Sequence, residues 1–202
     1  MSLQIYKPNS KNTGSAYTFS KATDKKNGAP TFYISAISQY SWDDNKKTGS
    51  FAGNAKDPTK TINVKISELE AGSFISAFSD RYEYTAFHSF DGNNTTIKVT
   101  PWDKSTKISK YNSSSKTYED AFIDVPAFGI TLSKGKGNSI KIALEPGEVE
   151  VLKNLFSMFI KDSLEFKIKN SYSSKNSNTS NSNPKKQDAE EVEEDEFEDA
   201  PF

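Results

Sequence analysis

Apolar residues recur at every second position through most of this 202-residue chain, and that period constrains the fold more than any other feature. Thr31 to Gln39 sets Phe32, Ile34 and Ala36 on one side of an extended strand and Tyr33, Ser35 and Ile37 on the other. Thr61 to Ile66 alternates Ile62, Val64 and Ile66 with Asn63 and Lys65, and Thr95 to Thr100 sets Ile97 and Val99 against Lys98. Tyr82 to Phe90 reads as a long, aromatic-rich strand. Phe128, Ile130 and Leu132 lead through Lys134-Gly135-Lys136-Gly137-Asn138 into Ile140, Ile142 and Leu144, a hairpin with Lys141 facing away. Ser15 to Lys21 is expected to pair with the stretch from Thr31 across the turn Asp24 to Gly28. A period of two buries one face and leaves the other wet, so the strands belong to antiparallel sheets.

Two helices interrupt the strands. Ser67-Glu68-Leu69-Glu70 fits a capping box, after which Ala71, Phe74, Ile75 and Phe78 recur at helical spacing. Pro146 suits the first position of a second helix that presents Val149, Leu152, Phe156 and Phe159 on one side. Each helix follows a strand, and each junction reads Leu-Glu-x-Gly, at Leu69 to Gly72 and at Leu144 to Gly147. The helical registers do not superpose when Leu69 is set against Leu144, but the order implies two units of several strands and a helix. The fold class is therefore α+β, mostly antiparallel β with two helices, and Phe32, Phe128, Phe156 and Phe159 belong to the core.

Charge divides the chain differently. The formal net charge is −1, yet Asp188 to Phe202 holds nine carboxylates and no base, which leaves residues 1–187 near +8. A basic body with an acidic tail is the composition of a polyanion binder. Arg81 is the only arginine, so phosphates would be met by lysines acting as point charges, which favours backbone tracking over base-edge readout. Asn170 to Gln187 is nearly all Ser, Asn, Thr and Lys and reads as a flexible tether with a reach of about 23 Å. The domains are thus 1–169, a linker 170–187 and a tail 188–202. No run approaches the ~20 apolar residues of a membrane span and the N-terminus does not resemble a signal peptide, so a cytoplasmic protein with no membrane partner is expected. There is no cysteine, and neither a zinc ligand set nor a P-loop is present, so no cofactor and no enzymatic role are expected.

Two resemblances follow. The chain ends Phe197-Glu198-Asp199-Ala200-Pro201-Phe202, which resembles the acidic tips of bacterial and phage single-stranded-DNA-binding proteins. In the bacterial family that tip ends Asp-Ile-Pro-Phe, matched here by Asp199, Pro201 and Phe202. The resemblance implies that Glu198, Asp199, Pro201 and Phe202 recruit replication or recombination proteins. The order of elements over about residues 3–165 is similar to the Whirly family of single-stranded-DNA-binding proteins, in which two sheet-plus-helix units form one module whose exposed sheets take the strand. That family's Lys-Gly-Lys-Ala-Ala-Leu segment is not matched by Lys134-Gly135-Lys136-Gly137, so none of its residues are carried over. The alternative is the oligonucleotide-binding (OB) barrel, with about five strands and usually one helix. A tip that matches the bacterial family on a body that does not match its barrel points to a bacteriophage source.

Binding a single strand without sequence preference requires lysines along the backbone path and aromatics for stacking. The candidates are Tyr33, Tyr40, Trp42, Phe51 and Trp102, with Lys65, Lys98, Lys104, Lys134, Lys136 and Lys141. Trp42 leads because Ser41, Asp43 and Asp44 around it are polar, and Trp102 stands before a lysine-rich loop. His88, flanked by Phe87, suits packing or hydrogen bonding better than catalysis. The expected function is coating of single-stranded DNA in replication, recombination or repair, with a tail that also competes with DNA. The alternative is a protein-interaction or transcription-modulating adaptor, and the composition is compatible with a homo-oligomer.

Overall fold

The alternating stretches become two antiparallel meanders in a computed structural model that describes residues 1–90, 93–135 and 137–177. In the first, β1 (Ser2–Lys7), β2 (Ser15–Thr23) and β3 (Pro30–Ser38) lie side by side. A small hairpin of β4 (Ser41–Asp43) and β5 (Thr48–Ser50) intervenes before β6 (Thr61–Ile66) completes the sheet beside β3. Helix α1 (Glu68–Asp80) follows, then the second sheet of β7 (Tyr84–Phe90), β8 (Asn93–Asn112), β9 (Thr117–Lys134) and β10 (Asn138–Leu144), and last α2 (Pro146–Ser177). Both sheets are open four-stranded meanders, so the barrel alternative does not hold. No helix among the described residues is long and apolar enough to cross a membrane.

The capping box forms as read: the Ser67 hydroxyl accepts from Glu70 N–H, and Ser67 N–H donates to Glu70 Oε2 at 2.8 Å. At the start of α2, Glu145 N–H donates to Glu148 Oε2, also at 2.8 Å. Setting Glu70 against Glu148 aligns the two helix starts, and the buried residues of the halves then superpose. Ile62, Val64 and Ile66 of β6 match Ile140, Ile142 and Leu144 of β10, while Ala71, Phe74, Ala77 and Phe78 match Val149, Leu152, Leu155 and Phe156. The alignment taken from the Leu-Glu-x-Gly junctions is thereby corrected. It would set Leu69, 85% exposed on α1, against the fully buried Leu144.

One core lies between the inner sheet faces and the helices. Phe156 packs at 5.1 Å from both Phe32 and Phe74, and Phe78 at 5.0 Å from Phe128, so each helix touches aromatic residues of the strands. Tyr17 bridges the sheets from β2: its hydroxyl donates to Ile140 O at 2.6 Å and accepts from Leu132 N–H at 3.2 Å. Burial drives that hydroxyl's pKa far above the ordinary tyrosine value of 10.0, so it stays a donor.

Two findings depart from the sequence reading. β7 pairs with β8 only as far as Val99 and β10 with β9 only as far as Phe128, after which Pro101 and Pro126 offer no N–H to a further strand. β8 and β9 nevertheless continue together to Asn112 and Thr117 as a two-stranded arm, so the lysine-rich loop expected after Trp102 is strand. The arm is clamped at its base, where Arg81 Nη2 lies 2.8 Å from Asp103 Oδ1 and Lys104 Nζ 2.6 Å from Glu145 Oε1. The Lys104 hydrogen bond, and then the Lys7 charge, holds Glu145 below the usual carboxylate range. Secondly, α2 continues to Ser177, so the start of the segment read as tether, from Asn170 onward, is helical. Extending a helix already nucleated and packed fixes one residue per added hydrogen bond, a small demand that polar residues meet. Met1–Lys167 forms one compact unit, and Ile168–Phe202 is a second, of which the described part is the end of α2.

Candidate nucleic-acid interface

Cross-strand register turns the polar faces of the sheets into rows. On the outer face of the first sheet, Ser2, Ser20, Tyr33 and Lys65 stand level, then Gln4, Thr18, Ser35 and Asn63, then Tyr6, Ala16, Ile37 and Thr61. Tyr33 is therefore the neighbour of Lys65, a ring beside a cation on an open face. On the second sheet, Thr85, Lys98, Thr131 and Lys141 form one row and Phe87, Thr96, Ser133 and Ser139 the next. A Cβ at Gly129 on this face would stand 3.0 Å from Lys141 Cε, near the flexible end of that side chain.

The two sheets meet at a cleft of about 500 Å³ lined by Asn63, Val64 and Lys65 of β6, His88 and Ser89 of β7, Thr95 of β8 and Lys134 of β9. Lys65 and Lys134, from opposite halves of the sequence, thus face one space from different sheets. A second cleft of about 440 Å³ shares Lys65 and His88 and continues past Pro30 and Ser67 to Phe166.

Not every expected cation is equally available. Lys98 is paired with Glu83 at 2.9 Å and Lys104 with Glu145 at 2.6 Å. Among the described residues Lys65, Lys134 and Lys141 have no carboxylate partner, so their charge is uncompensated locally. Lys136, Glu198, Asp199, Pro201 and Phe202 lie outside the described residues.

The aromatics fall into separate places. Trp42 sits half-buried on β4, with its indole N–H donating to Asp44 Oδ1 at 3.1 Å. Tyr40 is 59% exposed, and its ring occupies the space that a side chain at Gly53 would need, at 2.5 Å. Phe51 packs at 5.9 Å from Tyr6, which ties this hairpin region to the outer face of the first sheet about 13 Å along the strands from the Tyr33 row. Trp102, 40% exposed, stands at the base of the arm, where its carbonyl accepts from Arg81 Nη2. Tyr33, Lys65 and Lys134 are therefore brought together, whereas Tyr40, Trp42 and Phe51 form a distant group.

Two residues at these surfaces were missed in the sequence, Tyr6 and Phe87, while His88 stands beside Glu70, a packing role of the kind read for it. Ser2–Lys7 has only Leu3 and Ile5 to mark its buried side, too short a run to declare a strand. Phe87 is 65% exposed because the strand's small and polar residues Ala86 and His88 take the inner side. The alternation was readable there, but the bulkier ring faces outward.

No protein-family model matches the chain, and no curated protein matches it. Solved structures do. WHY1 from Arabidopsis thaliana is 14% identical, with a TM-score of 0.53 over 92% of this chain and 97% of that one. WHY3 from Arabidopsis thaliana is 13% identical, with a TM-score of 0.48 over 83% of this chain and 90% of that one. The fold is therefore Whirly-like, two four-stranded sheets each followed by a helix, as the order of elements implied.

Proposed function

We propose that this chain binds single-stranded DNA without sequence preference, along a path that runs from the outer sheet faces into the cleft between the sheets. The observation that carries this reading is the convergence of Lys65 and Lys134 on one open cleft with Tyr33 level with Lys65. A flexible polyanion needs spaced cations and a flat ring on which to stack, and those three side chains supply both. Lys141, which has no carboxylate partner among the described residues, extends the cationic track over the second sheet. The similarity to the Whirly fold agrees with this use of exposed sheets.

The tail completes the reading. Nine carboxylates in Asp188 to Phe202 would compete with phosphates for the same lysines, while Glu198, Asp199, Pro201 and Phe202 would be gripped by replication or recombination proteins. The role is then that of a coating protein in DNA replication, recombination or repair, of bacteriophage source and acting in the host cytoplasm, without enzymatic activity.

The test is a titration with oligo-dT at several salt concentrations. Log affinity should fall against log salt with a slope of about −0.7 per neutralised phosphate, and replacing Lys65, Lys134 and Lys141 together should flatten the slope by about 2. Affinity independent of salt, or equal affinity for duplex DNA, would refute the lysine track. Tyr33→Ala should weaken binding by about 1–3 kcal/mol. Trp42→Ala and Trp102→Ala decide whether the strand also reaches the hairpin and the arm.

A further inference from the structure

The arm is a presented element without a partner of its own. The part of β8 from Asp103 to Asn112 runs beyond the sheet, a reach of about 33 Å. A two-stranded ribbon alone is marginally stable in water. Among the described residues, the hydrogen bonds and ion pairs of residues 105–124 are made inside the arm, such as Lys107 to Asp120 at 2.7 Å and Asn112 to Glu119 at 2.8 Å. Tyr118, Phe122 and Ile123 are 73%, 69% and 44% exposed, and the clamps at Arg81 and Lys104 fix the base while leaving the rest free.

The two strands of the arm carry opposite charge. Lys104, Lys107 and Lys110 lie on β8, where the one acid, Asp103, is paired with Arg81, whereas Glu119, Asp120 and Asp124 lie on β9. Beyond Pro101 and Pro126 the outer edge of each strand has backbone donors and acceptors that no neighbouring strand takes. Such an edge accepts another strand, and opposite charges on adjacent strands favour the match while like charges oppose it. The basic edge of one arm therefore fits the acidic edge of another.

We infer that arms of two copies of this chain pair side by side, with β8 of one copy against β9 of the next. Because β8 and β9 run in opposite directions, an antiparallel ladder between them requires the two arms to point the same way. Lys110 then stands level with Glu119 of the neighbour, as it does with Glu119 of its own arm, and Lys107 lies diagonal to the neighbour's Asp120 and Asp124. The contact is head-to-tail, so on repetition it closes into a ring or continues as a filament. It is independent of the nucleic-acid reading.

The experiment uses the full chain without DNA. A second chain carries Lys107→Glu, Lys110→Glu, Glu119→Lys, Asp120→Lys and Asp124→Lys, which keeps opposite charges within each arm. Light scattering should give a mass at least twice the single-chain 22.5 kDa for both chains, and differently tagged copies of each should capture themselves. The original and the exchanged chain should not capture one another, because each mixed edge sets like charges side by side. Replacing residues 105–124 with a short Asn-Gly turn should reduce the mass to one chain. A single-chain mass for the original protein, an unchanged mass after trimming, or free mixing of the original and exchanged chains would each overturn the inference. An original chain that stays single, and whose trimmed form loses oligo-dT affinity, would overturn it too, and would assign the arm to the nucleic acid.

Discussion

His88 Nε2 on β7 lies 2.6 Å from Glu70 Oε1 on α1, while the other oxygen of that carboxylate accepts the Ser67 backbone N–H that closes the helix cap. The second half repeats the device. Glu148, the counterpart of Glu70 when the helix starts are aligned, takes the Glu145 N–H on Oε2 and Lys7 Nζ of β1 at 2.6 Å on Oε1. The first strand of each half thus brings a side-chain nitrogen to the helix of the other half, as an ion pair at Lys7 and as a close approach without hydrogen-bond geometry at His88.

Replacing either glutamate should therefore remove two interactions at once. Glu70→Ala and Glu148→Ala are each expected to cost about 1–2 kcal/mol, read as a lower urea midpoint with unchanged slope. Glu70→Gln, which keeps an oxygen for the cap, should cost less than Glu70→Ala. Equal midpoints for the alanine variants and the original chain would show that neither contact stabilises the fold.

Tyr17 sets an alkaline limit. Its hydroxyl pKa is raised by burial, so the unfolded chain loses the proton above about pH 10 while the folded chain keeps it. The unfolded state then binds fewer protons, and this contribution to stability, fully present below pH 10, should fall by up to about 1.4 kcal/mol per pH unit above it. Tyr17→Phe should flatten that fall relative to the original chain. It should also lower stability at pH 7, because Leu132 N–H and Ile140 O lose a buried partner. Denaturation curves from pH 8 to 11.5 measure both.

Glycines separate close approach from mere permissiveness. A Cβ at Gly14 would stand 2.5 Å from Lys7 O and 2.7 Å from Pro8 Cα, backbone that cannot yield cheaply, so Gly14→Ala should destabilise by about 1–3 kcal/mol. Gly72, inside α1, has nothing within 4 Å of that position, and Gly72→Ala should stabilise by about 0.5–1 kcal/mol. Thermal melts of the two variants should move in opposite directions.

Truncations should separate the two proposed uses of the tail. Removing Asp188 to Phe202 should tighten oligo-dT binding, most at low salt, where screening is weakest. Deleting Phe202 alone removes no carboxylate side chain, so DNA affinity should stay put while capture of host replication proteins is lost. If the single deletion alters DNA affinity as much as the whole truncation, competition and recruitment are not separable.

Much of the fold was legible because burial on one face imposes a period on side chains. Thr61 to Ile66 and the capping box at Ser67 form where read, and so does the hairpin around Gly135 and Gly137, both at positive φ. β1 was not legible, having only Leu3 and Ile5 to bury, and neither was the arm, whose strands have no buried side to mark them. Of the site, Tyr33 and Lys65 could be placed on one strand face each. Their adjacency depends on the pairing of β3 with β6, a register that no local pattern encodes.

By itself the sequence determined the strand periods, the helix starts, the core aromatics and the split of charge between body and tail, because each depends on residues a few positions apart. Tertiary structure decided which lysines remain unpaired, with Lys98 and Lys104 given to Glu83 and Glu145 while Lys65 and Lys134 converge on one cleft. It also decided how the halves align, Glu70 with Glu148 rather than Leu69 with Leu144, since only packing shows that Leu69 is exposed where Leu144 is buried. Electrostatic pairing and burial depend on through-space distance, and that distance exists only once the two sheets have closed on one core.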